Sequence, residues 1–482
     1  MKNLDRVAWL LLTIAAVTVA ISYWAAFRML PHWSWSSARL AASVRIAYGF
    51  PLYTASGAAT MNDWFYGPVA PLAYLPAVLG SDPLAALRIA AVLNACYYLL
   101  PVFVIVAGAS LGTTSAWVRW AGLVFAAGAF LLPFGLWYGA ISLHVDTVAI
   151  GLGLLSCTVL ARSDKLALPA VLCVLAAWTK QTDFPLAMAQ LIFIARLRGG
   201  KTALAYAAWL AAWAAGITLA FCAWFGAGTL WHILIVILTR VPIETERIGS
   251  ELAGIAPHVF GMAVLALGLW RWLPAHSKER ANRDVQLGWL LCGSALVLLP
   301  LGFLAAIKSG GAANSIHALA YGILGVTTLG LQFISTAVGQ RGRQGRLLLL
   351  AGTVSIAILA VGPVLRNGDL GRGWIGEQHR EAYQFVKAHP NQVYIPWDPL
   401  VTLMAERRDY PFECAYHDYL MVHEAPPPAE MRRVFPPTLA YILYFHADQP
   451  PLEVMSLFPE FNRRQVAGNW TIFSRPVEAP RH

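Results

Sequence analysis

Long apolar runs separated by short polar turns occupy the chain up to about residue 365. The runs lie at approximately 7–29, 84–108, 116–137, 143–161, 166–178, 184–195, 202–226, 256–273, 286–306, 316–337 and 347–365. A helix that rises about 1.5 Å per residue crosses a hydrocarbon core of roughly 30 Å in about 20 residues. The pattern therefore predicts an all-α polytopic membrane protein with about 11 transmembrane helices.

The composition agrees with this prediction. Hydrophobic residues make up 58% of the 482 positions, charged residues only 12%, and the mean hydropathy is +0.57. A soluble globule of this size would expose too much apolar surface. The run Val7–Met29 follows Lys2 and Arg6 and resembles a signal sequence in outline, but it lacks a convincing small-residue cleavage site. We therefore expect it to be an uncleaved anchor.

Basic residues recur in every second turn between the apolar runs. They are Lys2, Arg6, Arg162, Lys165, Arg196, Arg198, Lys201, Arg271, Lys278, Arg280, Arg283, Arg341, Arg343 and Arg346. Because cytoplasmic loops are enriched in Lys and Arg, these turns and the N-terminus are predicted to be cytoplasmic. The same turns contain only four acidic residues, so their basic excess accounts for the whole net charge of +10. The charge reflects topology and gives no reason to expect nucleic acid binding.

The long polar segments all fall on the opposite, extracytoplasmic face. They are two loops of about residues 30–83 and 227–255 and the tail 366–482. The tail pattern predicts helices near 375–388 and 399–407 and strands near 392–396, 439–445 and 470–474. We thus expect a transmembrane domain at 1–365 and a small α/β domain at 366–482. The tail has no nucleophile motif, phosphate loop or metal spacing, which favours a role in covering or shaping a site.

The first outer loop combines an acid with aromatic rings. Asp63 directly precedes Trp64-Phe65-Tyr66. Flat apolar ring faces beside a carboxylate suit a sugar, whose C–H faces stack and whose hydroxyls need acceptors. An interfacial aromatic belt explains most of the rings equally well, and Asp63 could be a solvated loop residue or a helix cap.

A second acid lies at the predicted outer end of the fourth run. Asp146 follows His144 and begins the nearly continuous apolar stretch that leads to Leu160. An acid near the N-terminus of a helix is stabilised by the helix dipole, so capping is an alternative to a functional role. Both roles are compatible with one residue.

Lys180 lies between two apolar runs that are too short to cross a membrane separately, 166–178 and 184–195. The polar segment between them is therefore predicted to be recessed below the outer surface. A recessed lysine needs an anionic partner. Asp183 could serve internally, but a phosphate is favoured because Gln181 and Thr182 supply further donors.

Lys308 opens the segment Lys308-Ser309-Gly310-Gly311-Ala312-Ala313-Asn314, which closes the ninth run on the same face. Glycines there allow backbone N–H groups to approach an anion, and Asn314 adds an amide donor. The alternative is a plain glycine-rich turn with a lysine that reaches the membrane surface. In the loop 227–255, the charged residues from Arg240 to Glu251 favour a solvated surface, with substrate contact as the alternative.

The chain contains, in order, Tyr66-Gly67-Pro68, His144-Val145-Asp146, Thr179-Lys180-Gln181-Thr182 and the Lys308–Asn314 segment. With this set it resembles the multispan glycosyltransferases of the C superfamily (GT-C), and among them bacterial proteins with an RgtA/B/C/D-like domain. The similarity covers roughly residues 1–365. It implies a multi-pass protein of the bacterial plasma (inner) membrane that transfers a sugar with inversion from a polyprenyl-phosphate donor to an extracytoplasmic lipid, glycan or protein.

The site residues follow from this resemblance together with the residue chemistry. Asp63 by preference, and Asp146 second, would be the catalytic base; Lys180, Gln181, Lys308 and Asn314 would bind the donor phosphate; Trp64, Tyr66 and His144 would contact the sugar or the acceptor. Relatives commonly have one or two acids early in the first loop, where this chain has Ser36 and Ser37. Serines cannot act as bases of that kind, so either Asp63 or Asp146 has taken the role or the protein has lost catalysis. The missing acids are also the likeliest metal ligands, so no cofactor is certain and dependence on a divalent metal stays open.

Two other classes of function fit a polytopic membrane protein. A lipid or solute transporter would usually show repeated halves with polar residues near the bilayer midplane, and no convincing duplication is visible. A noncatalytic scaffold for envelope assembly would explain the absent acidic pair. A glycosyltransferase is the favoured interpretation.

Overall fold

The structure is a computed structural model. It describes residues 2–53, 64–109, 116–272, 283–311, 315, 317–341, 343–366, 375–413, 432–445 and 452–475. Asp63, Asn314 and Cys414 lie outside these ranges.

Helices form almost the whole chain before the tail. Their bounds are α1 (Lys2–Phe27), α2 (Ser34–Tyr48), α3 (Val69–Ala73), α4 (Pro83–Ala107), α5 (Ala116–Phe130), α6 (Phe134–Ile141), α7 (Val145–Arg162), α8 (Ala167–Thr179), α9 (Leu186–Arg198), α10 (Gly200–Phe225), α11 (Ala227–Trp231), α12 (Leu238–Arg240), α13 (Arg247–Trp272), α14 (Arg283–Ala306), α15 (Ala318–Arg341) and α16 (Arg343–Arg366).

Six helices within the described ranges are long and apolar enough to cross a membrane. They are Arg6–His32, Pro83–Ala107, Val145–Arg162, Gly200–Phe225, Arg247–Leu269 and Arg283–Ala306. Shorter apolar helices cover Ala116–Phe130, Ala167–Thr179, Ala227–Val236, Ala318–Ile334 and Arg346–Gly362. Each predicted apolar run overlaps at least one helix of the described ranges. The run 116–137 is divided because Pro133, which has no backbone N–H, stands before α6 in extended conformation.

Two segments predicted to be outer loops are partly helical. The 30–83 segment contains α2, and α13 begins at Arg247, earlier than the predicted start at 256. The start of α13 was missed because its first residues are polar and the prediction followed the apolar run. Arg247 and Glu251 stand one helical turn apart and support the helix there by an ion pair at 3.1 Å.

The ends of the bundle differ in chemistry. At one end, Arg162 pairs with Asp284 at 2.8 Å, Arg283 pairs with Asp164 at 3.2 Å, and Arg198 donates to the Leu160 carbonyl at 2.6 Å. All belong to turns that the sequence predicts to be cytoplasmic. The central helix α7 is largely buried and connects this end to the opposite one, where it begins beside Lys180.

Helices α8 and α9 form a short hairpin with its turn at Lys180–Pro185. Each has 13 residues, so each reaches only about 20 Å. A single turn of 3₁₀ helix, Gln181–Asp183, joins them, and Lys180 is in extended conformation. The predicted break between the two runs is therefore confirmed.

The tail forms a four-stranded sheet with helices. Its elements are α17 (Glu377–Ala388), β1 (Val393–Tyr394), α18 (Pro399–Glu406), β2 (Tyr441–Phe445), α19 (Leu452–Leu457), β3 (Arg463–Ala467) and β4 (Trp470–Ser474). The strand order is β1-β2-β4-β3, with β1 parallel to β2 and the other pairs antiparallel. The predicted α/β tail is confirmed.

The sheet has a defined register around an aromatic core. Ile442 pairs with Phe473, and Ala467 pairs with Trp470 across a two-residue turn at Gly468-Asn469. Gly468 has φ 56°, which a glycine adopts without steric cost. The strand β3 was missed in the sequence because all five of its residues are exposed, so no alternation of apolar and polar positions is present.

The tail packs on α2 and the chain just before it. Arg45 pairs with Asp409 at 2.8 Å, and Gln378 donates to the His32 carbonyl at 2.9 Å. The rings of Trp35 and Trp397 make an edge-to-face contact with centroids 5.7 Å apart. The tail therefore contacts the helix at the start of the segment 30–83, which the sequence predicts to be the first outer loop.

Candidate functional site

A buried ion pair joins the α8–α9 turn to the first turn of α7. Lys180 Nζ donates to Asp146 Oδ1 at 2.5 Å, and the two residues are only 4% and 3% exposed. Lys180 Nζ also lies 3.5 Å from Ser315 Oγ. Three segments that are distant in sequence thus meet at one ammonium group.

The local fold explains why both charges are tolerated inside the protein. Asp146 stands in the first turn of α7, where the helix dipole stabilises a negative charge. Lys180 follows the last residue of α8, where the dipole favours a cation. The Lys180 backbone N–H donates to the Ala176 carbonyl at 3.0 Å, which fixes the direction of the side chain. Taking both ions out of water is costly, and close pairing offsets that cost.

His317 is the neighbour of this pair that sequence reasoning missed. It is fully buried, its Nδ1 lies 3.4 Å from Asp146 Oδ1, and its Nε2 lies 2.7 Å from Thr182 Oγ1. The only feature of the sequence that could have indicated His317 is its position in Ser315-Ile316-His317, directly after the Lys308–Asn314 segment. Asp183 is also fully buried, with Oδ2 3.8 Å from His317 Nδ1. Asp183 is thus near His317, whereas Asp146 bonds Lys180.

The first outer loop docks on the same turn. Gln181 Nε2 donates to the Phe65 carbonyl at 2.9 Å, and Trp64 Nε1 donates to the Gly67 carbonyl at 3.1 Å. A Cβ added to Gly67 would lie 1.4 Å from the Trp178 carbonyl oxygen. Only glycine permits this approach, so Tyr66-Gly67-Pro68 rests directly on the C-terminal end of α8.

Arg39 lies among the aromatic rings at the edge of this loop. Its guanidinium carbon is 5.4, 6.0 and 5.0 Å from the ring centroids of Trp35, Trp64 and Tyr66. Cation–π attraction favours such an arrangement. Trp64 itself is buried, whereas Tyr66 is half-buried. The predicted sugar-contacting rings are therefore grouped around a cation.

His144 directly precedes α7 and is 7% exposed. Its ring lies 4.8 Å from that of Tyr138 at a tilt of 45°. The structure thus brings His144, Asp146, Lys180, Gln181, Trp64 and Tyr66 to one end of the bundle.

Lys308 stands in the connection between α14 and α15, the same connection that supplies Ser315 and His317. Its carbonyl accepts a hydrogen bond from Arg247 Nη1 at 3.1 Å, and Arg247 Nη2 donates to the Gly311 carbonyl at 2.8 Å. Partial burial lowers the pKa of the Lys308 ammonium. Arg247, interpreted from sequence as part of a solvated surface, instead fixes this turn.

Ser36 and Ser37, which replace the acids of relatives, are both buried and hydrogen-bonded. Ser36 Oγ accepts from the Leu143 backbone N–H at 3.0 Å, and Ser37 Oγ donates to Asp398 of the tail. His379 Nδ1 bonds the other oxygen of Asp398. The tail thus places a carboxylate at this position of the first loop.

The described ranges contain no group of three His, Cys, Asp or Glu side chains that could hold a metal ion. The assembled site combines a buried ammonium, a carboxylate that pairs with it, and a group of aromatic rings around Arg39 at the same end of the bundle.

The structure is that of a multi-pass membrane protein, with a bundle of apolar helices followed by a small α/β tail. It is similar to the crystal structure of ArnT from Cupriavidus metallidurans bound to undecaprenyl phosphate, with a TM-score of 0.50 and 13% identity over 97% of this chain and 98% of that chain. The apo structure of ArnT gives the same score and identity over 98% of each chain. No family model matches the sequence, and no curated protein matches it. The likeness is one of fold, and it confirms the predicted fold class.

Proposed function

We propose that this protein is a glycosyltransferase that moves a sugar from a polyprenyl-phosphate donor to an acceptor hydroxyl, with inversion. The reaction takes place at the end of the bundle that contains Lys180. In the proposed topology this end faces the outside of the bacterial inner membrane, the N-terminus is cytoplasmic, and residues 366–482 form an extracytoplasmic domain.

The observation that supports this function best is the buried ammonium of Lys180 at a break between two short helices. It stands 2.5 Å from a carboxylate in a fold like that of ArnT, a protein whose crystal structure holds undecaprenyl phosphate. A polyprenyl phosphate has its charge at the membrane surface and its chain in the lipid. A cation recessed among apolar helices is suited to such a ligand.

In this proposal the phosphate is bound by four residues. Lys180 neutralises it from the helix break, and Lys308 neutralises it from the α14–α15 connection. Gln181 and Asn314 supply amide donors. Ser315, which already contacts Lys180, is within the same connection as Lys308. Arg247 maintains that connection by its bonds to Lys308 and Gly311.

The transfer is a single displacement. The acceptor oxygen forms a bond to the anomeric carbon, and the bond from that carbon to the phosphate oxygen breaks with its electron pair leaving on the phosphate. A carboxylate takes the acceptor proton. Asp63 is the preferred base because Asp146 already pairs with Lys180, which suits Asp146 better to orient the ammonium than to accept a proton. Asp146 is the second candidate.

The sugar and the acceptor would be contacted by Trp64, Tyr66 and His144. Trp64 and Tyr66 form an edge-to-face pair with centroids 5.7 Å apart, and ring faces of this kind stack on the C–H face of a sugar. Arg39, which lies against both rings, fixes their positions.

The experiment is a transfer assay with purified protein and a polyprenyl-phosphate-linked sugar donor. Asp63→Asn, Asp146→Asn and Lys180→Ala are compared with the parent and with Glu381→Gln, a change in the exposed part of the tail. We expect the first three variants to lose about 10²-fold or more and the control to match the parent. Activity near that of the parent in all three would refute the assignment.

A noncatalytic scaffold is the second candidate, and one observation favours it. Ser36 and Ser37 occupy the place of the usual acids and are engaged in structural hydrogen bonds. A scaffold would still bind the polyprenyl phosphate through Lys180 but would form no glycosidic bond. Binding without transfer from any donor would therefore decide for the scaffold.

A further inference from the structure

Asp183, three residues after Lys180, is a buried carboxylate without a hydrogen-bond donor in the described part of the chain. Asp183 is 0% exposed, and neither of its carboxylate oxygens accepts a hydrogen bond from the described part of the chain. An ionised carboxylate in such a place loses its hydration without compensation. A neutral carboxylic acid loses much less.

The groups around Asp183 do not compensate for the lost hydration of an ionised carboxylate. Within the described ranges Lys180 is the one cation close to Asp183, and its ammonium is directed to Asp146 at 2.5 Å. The nearest base is His317, with Nδ1 at 3.8 Å from Asp183 Oδ2. The other titratable groups next to the pair in the described ranges are Asp146 of α7, Cys173 of α8 and Tyr321 of α15. None of these brings a positive charge.

His317 is arranged to exchange a proton with this acid. Its Nε2 is occupied by the Thr182 hydroxyl at 2.7 Å, whereas Nδ1 has no hydrogen-bond partner within the described ranges. Nδ1 lies between the two carboxylates, 3.4 Å from Asp146 Oδ1 and 3.8 Å from Asp183 Oδ2. The free ring nitrogen therefore faces both acids.

The charge of the group depends on one proton. With Asp146 and Asp183 both ionised, Lys180 protonated and His317 neutral, the four side chains sum to one negative charge, which repels an anion. One added proton makes the sum zero. We propose that Asp183 is held as a neutral carboxylic acid, that His317 is the base that receives its proton, and that this pair sets the affinity of the Lys180 site for phosphate.

The second part of this proposal rests on the proposed function, since it takes the anion to be the donor phosphate. Asp183 and His317 act through Lys180 and are positioning residues. Transfer of the proton from Asp183 to His317 leaves the summed charge of the pair unchanged, whereas release of the proton from the pair to water leaves one negative charge beside Lys180 and weakens binding of an anion. The affinity should thus fall as the pH rises through the titration of Asp183, by up to about tenfold per pH unit for one linked proton.

The first test needs no ligand. Infrared spectra of the full-length protein are recorded as a function of pH for the parent, Asp183→Asn and Asp284→Asn. We expect the C=O band of a protonated buried carboxyl in the parent at neutral pH, and its loss in Asp183→Asn. Asp284 is equally buried but pairs with Arg162, so Asp284→Asn should keep the band. His317→Gln retains an amide for Thr182 and should preserve the band to higher pH. A parent spectrum that Asp183→Asn leaves unchanged overturns the proposal.

The second test measures binding of undecaprenyl methyl phosphate, a diester that keeps a single negative charge between about pH 5 and about pH 9. The affinity of the parent should fall with rising pH, and that of Asp183→Asn should stay constant. A pH-independent affinity in the parent overturns the linkage. An acid band without diester binding at any pH supports the proton assignment and counts against the proposed function.

Discussion

The Nζ atom of Lys180 lies 2.5 Å from Oδ1 of Asp146, although 34 residues separate them in sequence. Each partner occupies the helix end at which the backbone dipole favours its charge. The pair therefore links the turn between α8 and α9 to the start of α7. It can support the fold, bind a ligand, or do both, and paired substitutions separate these roles.

Lys180→Met should destabilise the protein by about 3–5 kcal/mol, because it leaves the Asp146 carboxylate buried without its cation. The double variant Lys180→Met with Asp146→Asn removes both charges and should recover most of that loss. Thermal unfolding in detergent measures both. Sugar transfer should be lost in the single and the double variant, because neither has a cation for the phosphate. A double variant that regains both stability and transfer would show that the pair is only structural.

Gly67→Ala should displace the first outer loop, because the new methyl group would overlap the Trp178 carbonyl oxygen. We expect a loss of about 1–3 kcal/mol in thermal unfolding, as for other overpacked contacts. Transfer should fall as well, since Trp64 and Tyr66 move with Gly67.

The matched control is Gly216→Ala in α10, where an added Cβ meets no atom within 4 Å. Alanine there should be neutral or stabilise the helix by up to about 1 kcal/mol. Equal behaviour of the two variants would mean that Gly67 does not rest on α8.

The sequence was sufficient for the features that depend on local patterns. Apolar periodicity predicted the membrane helices, and the shortness of two runs predicted the break at Lys180. In the tail, alternation predicted β2 and β4, which pair with Ile442 opposite Phe473. These signals are local because burial of one helix stripe or one strand face depends on neighbouring positions.

The site was predicted only in part because its contacts are between distant segments. Lys180, Asp146 and Gln181 were identified from their unusual polarity, but nothing local distinguishes His317 or the turn that Arg247 fixes. The bond from Ser37 to Asp398 spans 361 residues. Pairings of that kind are decided by the tertiary fold, which a single sequence does not display.

Asp398→Asn should loosen the tail from α2. His379 Nε2 donates to the Pro31 carbonyl at 2.5 Å, while Nδ1 bonds Asp398, so both ring nitrogens act as donors toward oxygen acceptors. Removing the carboxylate charge leaves a buried imidazolium poorly compensated, at a cost of about 3–5 kcal/mol. Thermal unfolding and protease release of the tail measure the effect.

Ser37→Ala is a milder change at the same contact, and its loss of stability is compared with that of Asp398→Asn. It removes one hydrogen bond to Asp398 and leaves the bond from His379, so it should cost only about 1 kcal/mol. Equal effects of Ser37→Ala and Asp398→Asn would contradict a charged bond between His379 and Asp398.

Arg247→Lys should weaken donor binding with little change in stability. The Arg247 guanidinium donates to the carbonyls of both Lys308 and Gly311. The ammonium of a lysine at this position cannot reproduce that two-bond geometry. The Lys308 turn then loses one of the two hydrogen bonds that it accepts from the side chain of residue 247. We expect a rise in KM for the polyprenyl-phosphate donor, with kcat largely retained, because in the proposed function the turn binds the phosphate and takes no part in forming the glycosidic bond. Arg240→Ala is the control, since Arg240 is exposed in the same outer segment. If Arg247→Lys gives the same KM as Arg240→Ala, the Lys308 turn does not contribute to donor binding, and Lys180 must neutralise the phosphate without it.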